Sequence, residues 1–117
     1  VAGVHRNTFV NAVKAELSPI KLRETEGIKI GTGYVKPLYL LPLYQKRIAQ
    51  GKNGFPWKAP FYKGKVDYSA GLCPVVEKMH NDIVITNEII KPPLTKRDMD
   101  NIIAAFKKVW DNRNELQ

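Results

Sequence analysis

With 117 residues the chain has the length of one ordinary domain. A hydrophobic share of 44% excludes a disordered tail, and Pro42 interrupts the apolar stretch from Tyr39 to Tyr44, which excludes a membrane-spanning helix. Its 19 Lys and Arg against 11 Asp and Glu leave a net charge of +8, and its single cysteine, Cys73, excludes an intrachain disulfide framework and a multi-cysteine zinc ribbon. One unpaired thiol fits a reducing, cytoplasmic home. The chain starts at Val1 with no charged-then-apolar leader pattern, so further sequence upstream is expected.

From His5 to Leu17 the residues Phe9, Val10, Val13 and Leu17 fall on one helical face. Asn7 or Thr8 can cap the start of this helix, and Ser18-Pro19 stops it. A polar connection from Lys21 to Glu26 leads through Gly27 to Ile28-Lys29-Ile30, whose alternation predicts a strand. Gly31 and Gly33 follow, and then the Pro- and Tyr-rich run from Pro37 to Ala49. Its two prolines forbid one continuous helix, although Pro42 can open a short one at the first helical position. Residues Gln50 to Gly71 are punctuated by Gly51, Gly54, Pro56, Pro60, Gly64 and Gly71 and read as a long loop. A loop of this length in a compact domain is often functional or covered by a partner.

Cys73 to His80 predicts a short helix with Pro74 in its first turn, and Ile83-Val84-Ile85, running on through Thr86, Asn87 and Glu88, predicts a strand buried on both faces at its start. Behind Pro92-Pro93, Thr95 and Asp98 have the spacing of a capping box. Met99, Ile102, Ile103, Phe106, Val109 and Trp110 then make one apolar stripe on a helix ending near Asn112 to Asn114. The order of elements predicts a single α+β domain over residues 1–117, with a small, mostly antiparallel sheet backed by helices.

The densest basic region runs from Lys46-Arg47 through Lys52, Lys58, Lys63 and Lys65, interleaved with Phe55, Trp57, Phe61 and Tyr62. Such interleaving can make a stacking platform for single strands, and a basic nucleic-acid-binding module is the alternative reading of this chain. A loop whose aromatics pin it down while its lysines stay in water weighs more, because arginine is scarce and no motif of a known nucleic-acid module is present. Catalytic chemistry is thin. Cys73 lies among Leu72, Pro74 and Val75, seven residues before His80, where an inert packed thiol outweighs a nucleophile. His5, His80, Glu77 and Asp82 lack zinc-ligand spacing. Gly31-Thr32-Gly33 lacks the later glycine of a phosphate loop, and the helix dipole accounts for Asp98 and Asp100.

Gly33 to Arg47, GYVKPLYLLPLYQKR, resembles the Y-x-x-P-L-Y/H … P-x-Y segment of the DegT/StrS family of sugar aminotransferases. The segments GFPW (Gly54 to Trp57), GLCPVVEKMH (Gly71 to His80) and the strand, Pro-Pro and helix from Ile83 to Trp110 follow in that family's order. Arg6 to Val10, R-x-x-F-V, and the turn to Gly27-Ile28 also match, so the resemblance spans about Arg6 to Trp110. It is to the C-terminal small domain alone.

The resemblance implies one half of a pyridoxal phosphate enzyme of fold type I, which moves an amino group from an amino donor such as glutamate or glutamine onto a keto sugar nucleotide or a cyclitol. Some relatives are dehydratases. It implies that the catalytic lysine, the aspartate on the pyridine nitrogen and most phosphate contacts belong to a large domain outside these residues. No catalytic or cofactor-binding residue is therefore expected here. The partners it implies are that large domain and a second subunit of a homodimer, with no membrane. By resemblance Tyr34 and Tyr39 are the candidates to reach the substrate cleft, as phenols that donate to a hydroxyl while the ring packs on the sugar face. Ordinary packing is an equal alternative for both. Lys36 and Arg47 are candidates to meet a phosphate, with a solvated charge the weightier alternative. Many relatives have His where Tyr39 stands, which leaves a cyclitol acceptor open. A role confined to oligomerisation is a third expectation, since an apolar loop without a partner favours association.

Overall fold

Local sequence rules set most of the elements in the computed structural model, which describes residues 3–17, 30–51, 53–87 and 94–117. Ser18-Pro19, the stretch from Lys21 through Gly27 to Lys29, Lys52, Glu88 and Pro92-Pro93 lie outside the described residues. The elements are α1 (Arg6–Ala15), β1 (Ile30–Gly31), α2 (Pro42–Gln45), α3 (Pro74–Lys78), β2 (Thr86–Asn87) and α4 (Lys96–Asp111). Short 3-10 turns occupy Leu38–Leu40 and Arg113–Leu116, and a single π-helical turn occupies Met79–Ile83. The two strands pair antiparallel, Ile30 opposite Asn87 and Gly31 opposite Thr86, so the chain combines helices with a two-stranded antiparallel sheet in an α+β arrangement.

Two details of the expected elements change. His5, rather than Asn7 or Thr8, caps α1: its Nδ1 accepts from the Asn7 amide at 3.2 Å. Of the strand expected from Ile83 to Glu88, Thr86–Asn87 forms, because the π-helical turn takes up Met79–Ile83, and both strand residues are exposed rather than buried. Elsewhere the local rules hold. Pro42 opens α2 where its missing N–H costs nothing, and Pro74 opens α3 in the same way. Thr95 and Asp98 form the full capping box of α4, with the Thr95 amide 2.7 Å from Asp98 Oδ2.

The chain divides into two compact units. One comprises the described residues of Val1–Gly33 and Asn81–Gln117, the other Tyr34–His80. The first unit holds the core: Val4, Phe9, Val10 and Val13 of the N-terminal segment, Ile30 of β1, and Ile102, Ala105 and Val109 of α4. Phe9 meets Phe106 and Trp110 at centroid distances of 6.1 and 6.4 Å, and Arg113 lies over the Trp110 ring at 4.8 Å. Arg6 is 3% exposed. Its Nη1 donates to the carbonyls of Thr32 (3.0 Å) and Val84 (2.7 Å) and its Nη2 to that of Asn81 (2.6 Å), while Nε donates to Asn7 Oδ1. One buried guanidinium thus ties α1 to the segment after β1 and to the end of the π-helical turn, where carbonyls lack helical partners.

The second unit, Tyr34–His80, is built differently. Its buried residues are Pro37, Gly54 and Ala59, and its larger side chains are organised by rings and hydrogen bonds. Tyr44 packs edge-on against Trp57 at 6.2 Å and tilted against Tyr68 at 5.4 Å; Trp57 donates from Nε1 to the Tyr68 hydroxyl at 2.9 Å. Gln45 Nε2 bridges the carbonyls of Tyr39 and Tyr68. The Phe55–Pro56 peptide bond is cis.

Candidate functional site

The end of α2 places the most constrained functional side chain. Arg47 has φ 54, a left-handed conformation that favours glycine. Its amide donates to the Tyr44 carbonyl and the Ile48 amide to that of Leu43, so the helix ends in a Schellman turn with arginine where glycine is usual. The Arg47 guanidinium donates from Nη2 to the Val66 carbonyl at 2.9 Å. That bond fixes it over the loop following Trp57.

Around it lies a pocket of about 300 Å³, lined by Arg47, Trp57, Lys58, Tyr62, Gly64, Lys65 and Val66. Glycines shape its walls. Gly54, buried with φ +72, takes the left-handed turn, and a Cβ there would stand 3.0 Å from Lys58 Cδ and 3.3 Å from the Arg47 carbonyl, so the Lys58 stem lies directly over its backbone. A Cβ on Gly64 would stand 2.6 Å from the Tyr62 hydroxyl oxygen; the absence of one lets Tyr62 fold back over the loop. Lys58 and Lys65 form no ion pair with any described residue. The neighbouring Asp67 is held below the usual carboxylate range first by the Ser69 amide and hydroxyl, which donate to it at 2.8 and 2.9 Å, with Arg47 contributing a smaller share. Three cations line the pocket, and the one carboxylate identified beside them is already bonded elsewhere.

A second depression, of about 380 Å³, lies in the first unit between α1, α4 and the C-terminal turn. Its only cation is neutralised: Lys108 pairs with Glu16 at 2.7 Å, and Glu115 adds a carboxylate in excess.

Tyr39 forms a separate polar cluster. Its hydroxyl donates to Glu77 Oε1, which also accepts from the Gly71 amide at 2.6 Å. Desolvation and the bond to Glu77 raise the Tyr39 phenol above its ordinary value, and the same bond, followed by the Gly71 amide, lowers the Glu77 carboxyl. The pair holds α3 to the turn before α2. Cys73, half-buried, caps the start of α3 through its backbone.

The four residues expected at a substrate cleft are therefore not gathered in one place. Arg47 lines the cationic pocket and Tyr39 faces Glu77. Tyr34 is 70% exposed and Lys36 is exposed, and neither makes a side-chain hydrogen bond, ion pair or ring contact with a described residue. Reading the sequence missed Arg6 and Glu77 as organising residues and Lys58, Tyr62 and Lys65 as walls of one pocket. The interleaved aromatics and lysines from Lys46 to Lys65 were the available signal for the pocket. No three His, Cys, Asp or Glu among the described residues gather as a metal site, and no described helix is long and apolar enough to cross a membrane.

No protein family, curated protein or solved structure matches the chain.

Proposed function

We propose that the chain is the C-terminal small domain of a cytoplasmic, homodimeric pyridoxal phosphate-dependent aminotransferase of the DegT/StrS type, acting on a keto sugar nucleotide or a cyclitol. The observation that carries this reading is the bond between Tyr39 and Glu77. Tyr39 belongs to the YVKPLY segment and Glu77 to the GLCPVVEKMH segment, two stretches that resemble the family and lie far apart in sequence. That Glu77 also takes the Gly71 amide, at the head of the second stretch, gives both segments a joint physical purpose.

In this reading the domain is a cover. Lids of this kind exclude water and orient the reacting keto group. Tyr34, whose ring and hydroxyl engage no described residue, has both with which to meet a sugar. Tyr34, Val35, Leu38, Val75 and Val76 leave much apolar surface exposed, which suits burial against a large domain and a second subunit. The residues present do not fit the cofactor itself. Every described lysine is exposed, whereas an amine that holds a cofactor aldehyde is activated by a desolvated site or neighbouring cations. Capture of pyridoxal phosphate is therefore assigned to the large domain.

The test is spectroscopic. The protein in its full-length form, reconstituted with pyridoxal phosphate, is expected to absorb at the edge of the visible range and to lose that band when glutamate or glutamine is added, while residues 1–117 alone stay colourless. A full-length protein that remains colourless overturns the reading.

A further inference from the structure

We infer that the loop from Lys46 to Lys65 is a docking surface for an anionic lipid bilayer, with Phe55 and Phe61 entering the interface and the surrounding lysines meeting the headgroups. The inference stands on that loop alone and does not need the aminotransferase reading, which implies no membrane.

Charge is the first argument. Of the 19 Lys and Arg, eight fall between Gly27 and Val66, where there is no Asp or Glu, and the other 11 are matched by the 11 acids elsewhere in the chain. The net charge of +8 therefore resides in that one stretch, and its densest part is this loop. Lys46, Arg47, Lys58, Lys63 and Lys65 are exposed, and none of these lysines forms an ion pair with a described residue. A leaflet rich in anionic lipid attracts such a segment, each nearby cation adding roughly a fivefold gain in partitioning.

Apolar exposure is the second. Phe61 is 73% exposed, Ile48 53% and Phe55 43%. The rings of Phe55 and Phe61 meet each other at 6.1 Å and join no other ring among the described residues. Their neighbour Trp57 is engaged instead with Tyr44 and Tyr68. One ring of the loop thus builds the unit, and two are left to water. The backbone that carries them is fixed: the Gln50 amide donates to the Phe55 carbonyl at 3.3 Å, the Lys58 amide to that of Gly54 at 3.0 Å and the Tyr62 amide to that of Ala59 at 2.9 Å. Apolar side chains held outward among cations make a surface suited to shallow insertion.

The mixture of side chains defines the occupant. Protein interfaces are enriched in Arg and depleted in Lys, whereas here the one arginine is bonded to the Val66 carbonyl and the free cations are lysines. A nucleic-acid strand needs successive ring faces, and Ile48 offers none. A bilayer presents anionic headgroups and a hydrocarbon edge side by side. Lysine stems lie along apolar surface while their ammonium groups stay in water, which fits that boundary. No described helix is long and apolar enough to cross a membrane, so the contact is with one leaflet surface.

Co-sedimentation of the full-length protein with vesicles tests the surface. Phosphatidylcholine vesicles containing about a quarter phosphatidylserine are expected to bind it, and phosphatidylcholine vesicles alone far less. Lys63→Gln with Lys65→Gln is expected to weaken binding roughly thirtyfold through the two charges lost. Phe55→Ser with Phe61→Ser is expected to weaken it about tenfold, with an unchanged circular dichroism spectrum because both rings are exposed. In a Phe61→Trp variant the added emission is expected to be quenched by brominated lipid, which reports entry of the side chain below the headgroups. The proposal is overturned by failure to bind the phosphatidylserine vesicles, by equal binding to both kinds of vesicle, by binding indifferent to either pair of substitutions, or by unquenched emission. A thymidine oligonucleotide bound more tightly than the vesicles would overturn it in favour of a nucleic-acid surface. None of these results bears on whether the full-length protein takes up pyridoxal phosphate, so the two readings fail separately.

Discussion

Val10 and Val13 in the first unit are 1% and 0% exposed, whereas Val35 and Val75 in the second are 77% and 70% exposed. The same residue type is withdrawn from water in one unit and presented to it in the other. The first unit, made of the described residues of Val1–Gly33 and Asn81–Gln117, has α1 and α4 pressed together over a shared apolar core. The second, Tyr34–His80, is held by ring edges, carbonyl-bound side chains and the Tyr39–Glu77 bond. Hydrophobic burial is the dominant favourable contribution to folding, and net hydrogen-bond contributions are small. Rigidity in the first unit comes from packing around one buried guanidinium, Arg6. In the second it comes from polar geometry, which leaves its apolar and cationic side chains available to other molecules.

The heaviest blow to that contrast is Arg6→Met. It strips the donors from the carbonyls of half-buried Thr32 and Val84 and of exposed Asn81, so the first unit should lose about 2–3 kcal/mol of stability. Amide exchange of α1 and α4 after the substitution measures this; a loss under about 1 kcal/mol would mean that the guanidinium does not hold these segments together. Next comes a matched pair. Val13→Ala empties a fully buried site and should cost about 2 kcal/mol, while Val75→Ala, on the exposed side of α3, should change unfolding by less than about 0.5 kcal/mol. Equal costs would erase the distinction between the units.

The smallest effect is a pH dependence, carried in the first unit by Asp98, whose carboxyl the Thr95 amide and hydroxyl hold low, and in the second by Asp67, Glu77 and Tyr39. Asp67 and Glu77 have lowered folded values, so their stabilisation is complete above the ordinary carboxylate range and is lost as pH falls through those lowered values. Tyr39 is raised, so its contribution is present below the ordinary phenol value and disappears as pH rises through the raised one. Tyr39→Phe should return the Glu77 midpoint toward normal and leave that of Asp67 in place, as a carbon-13 carboxyl titration would report. A Glu77 midpoint indifferent to the substitution would remove the Tyr39–Glu77 bond as the organiser of this region.

Elements with periodic or capping signals were legible in the sequence. Thr95 and Asp98 mark the start of α4, and Phe9, Val10 and Val13 mark the buried face of α1. The apolar stripe on α4 is narrower than its residues suggest: Ile102, Ala105 and Val109 are buried while Ile103 faces outward, because one helix packs over only part of its circumference. What was not legible depends on pairings between distant segments. Nothing in the spacing shows that Arg6 will find carbonyls at 32, 81 and 84, or that Tyr39 will find Glu77. The π-helical turn at Met79–Ile83 has no propensity signature, and it took up the start of the expected strand. The cationic pocket was half legible, as interleaved aromatics and lysines whose convergence only the glycine-shaped backbone brings about.

The Arg6 clamp also has a consequence for synthesis. Its last acceptor, Val84, and the inner residues of α4 leave the ribosome long after α1 does, so α1 must wait, its cationic anchor hydrated, until those residues have been translated. Tyr34–His80 is contiguous and can fold while that wait continues. Of the two units, the one begun earlier is completed later.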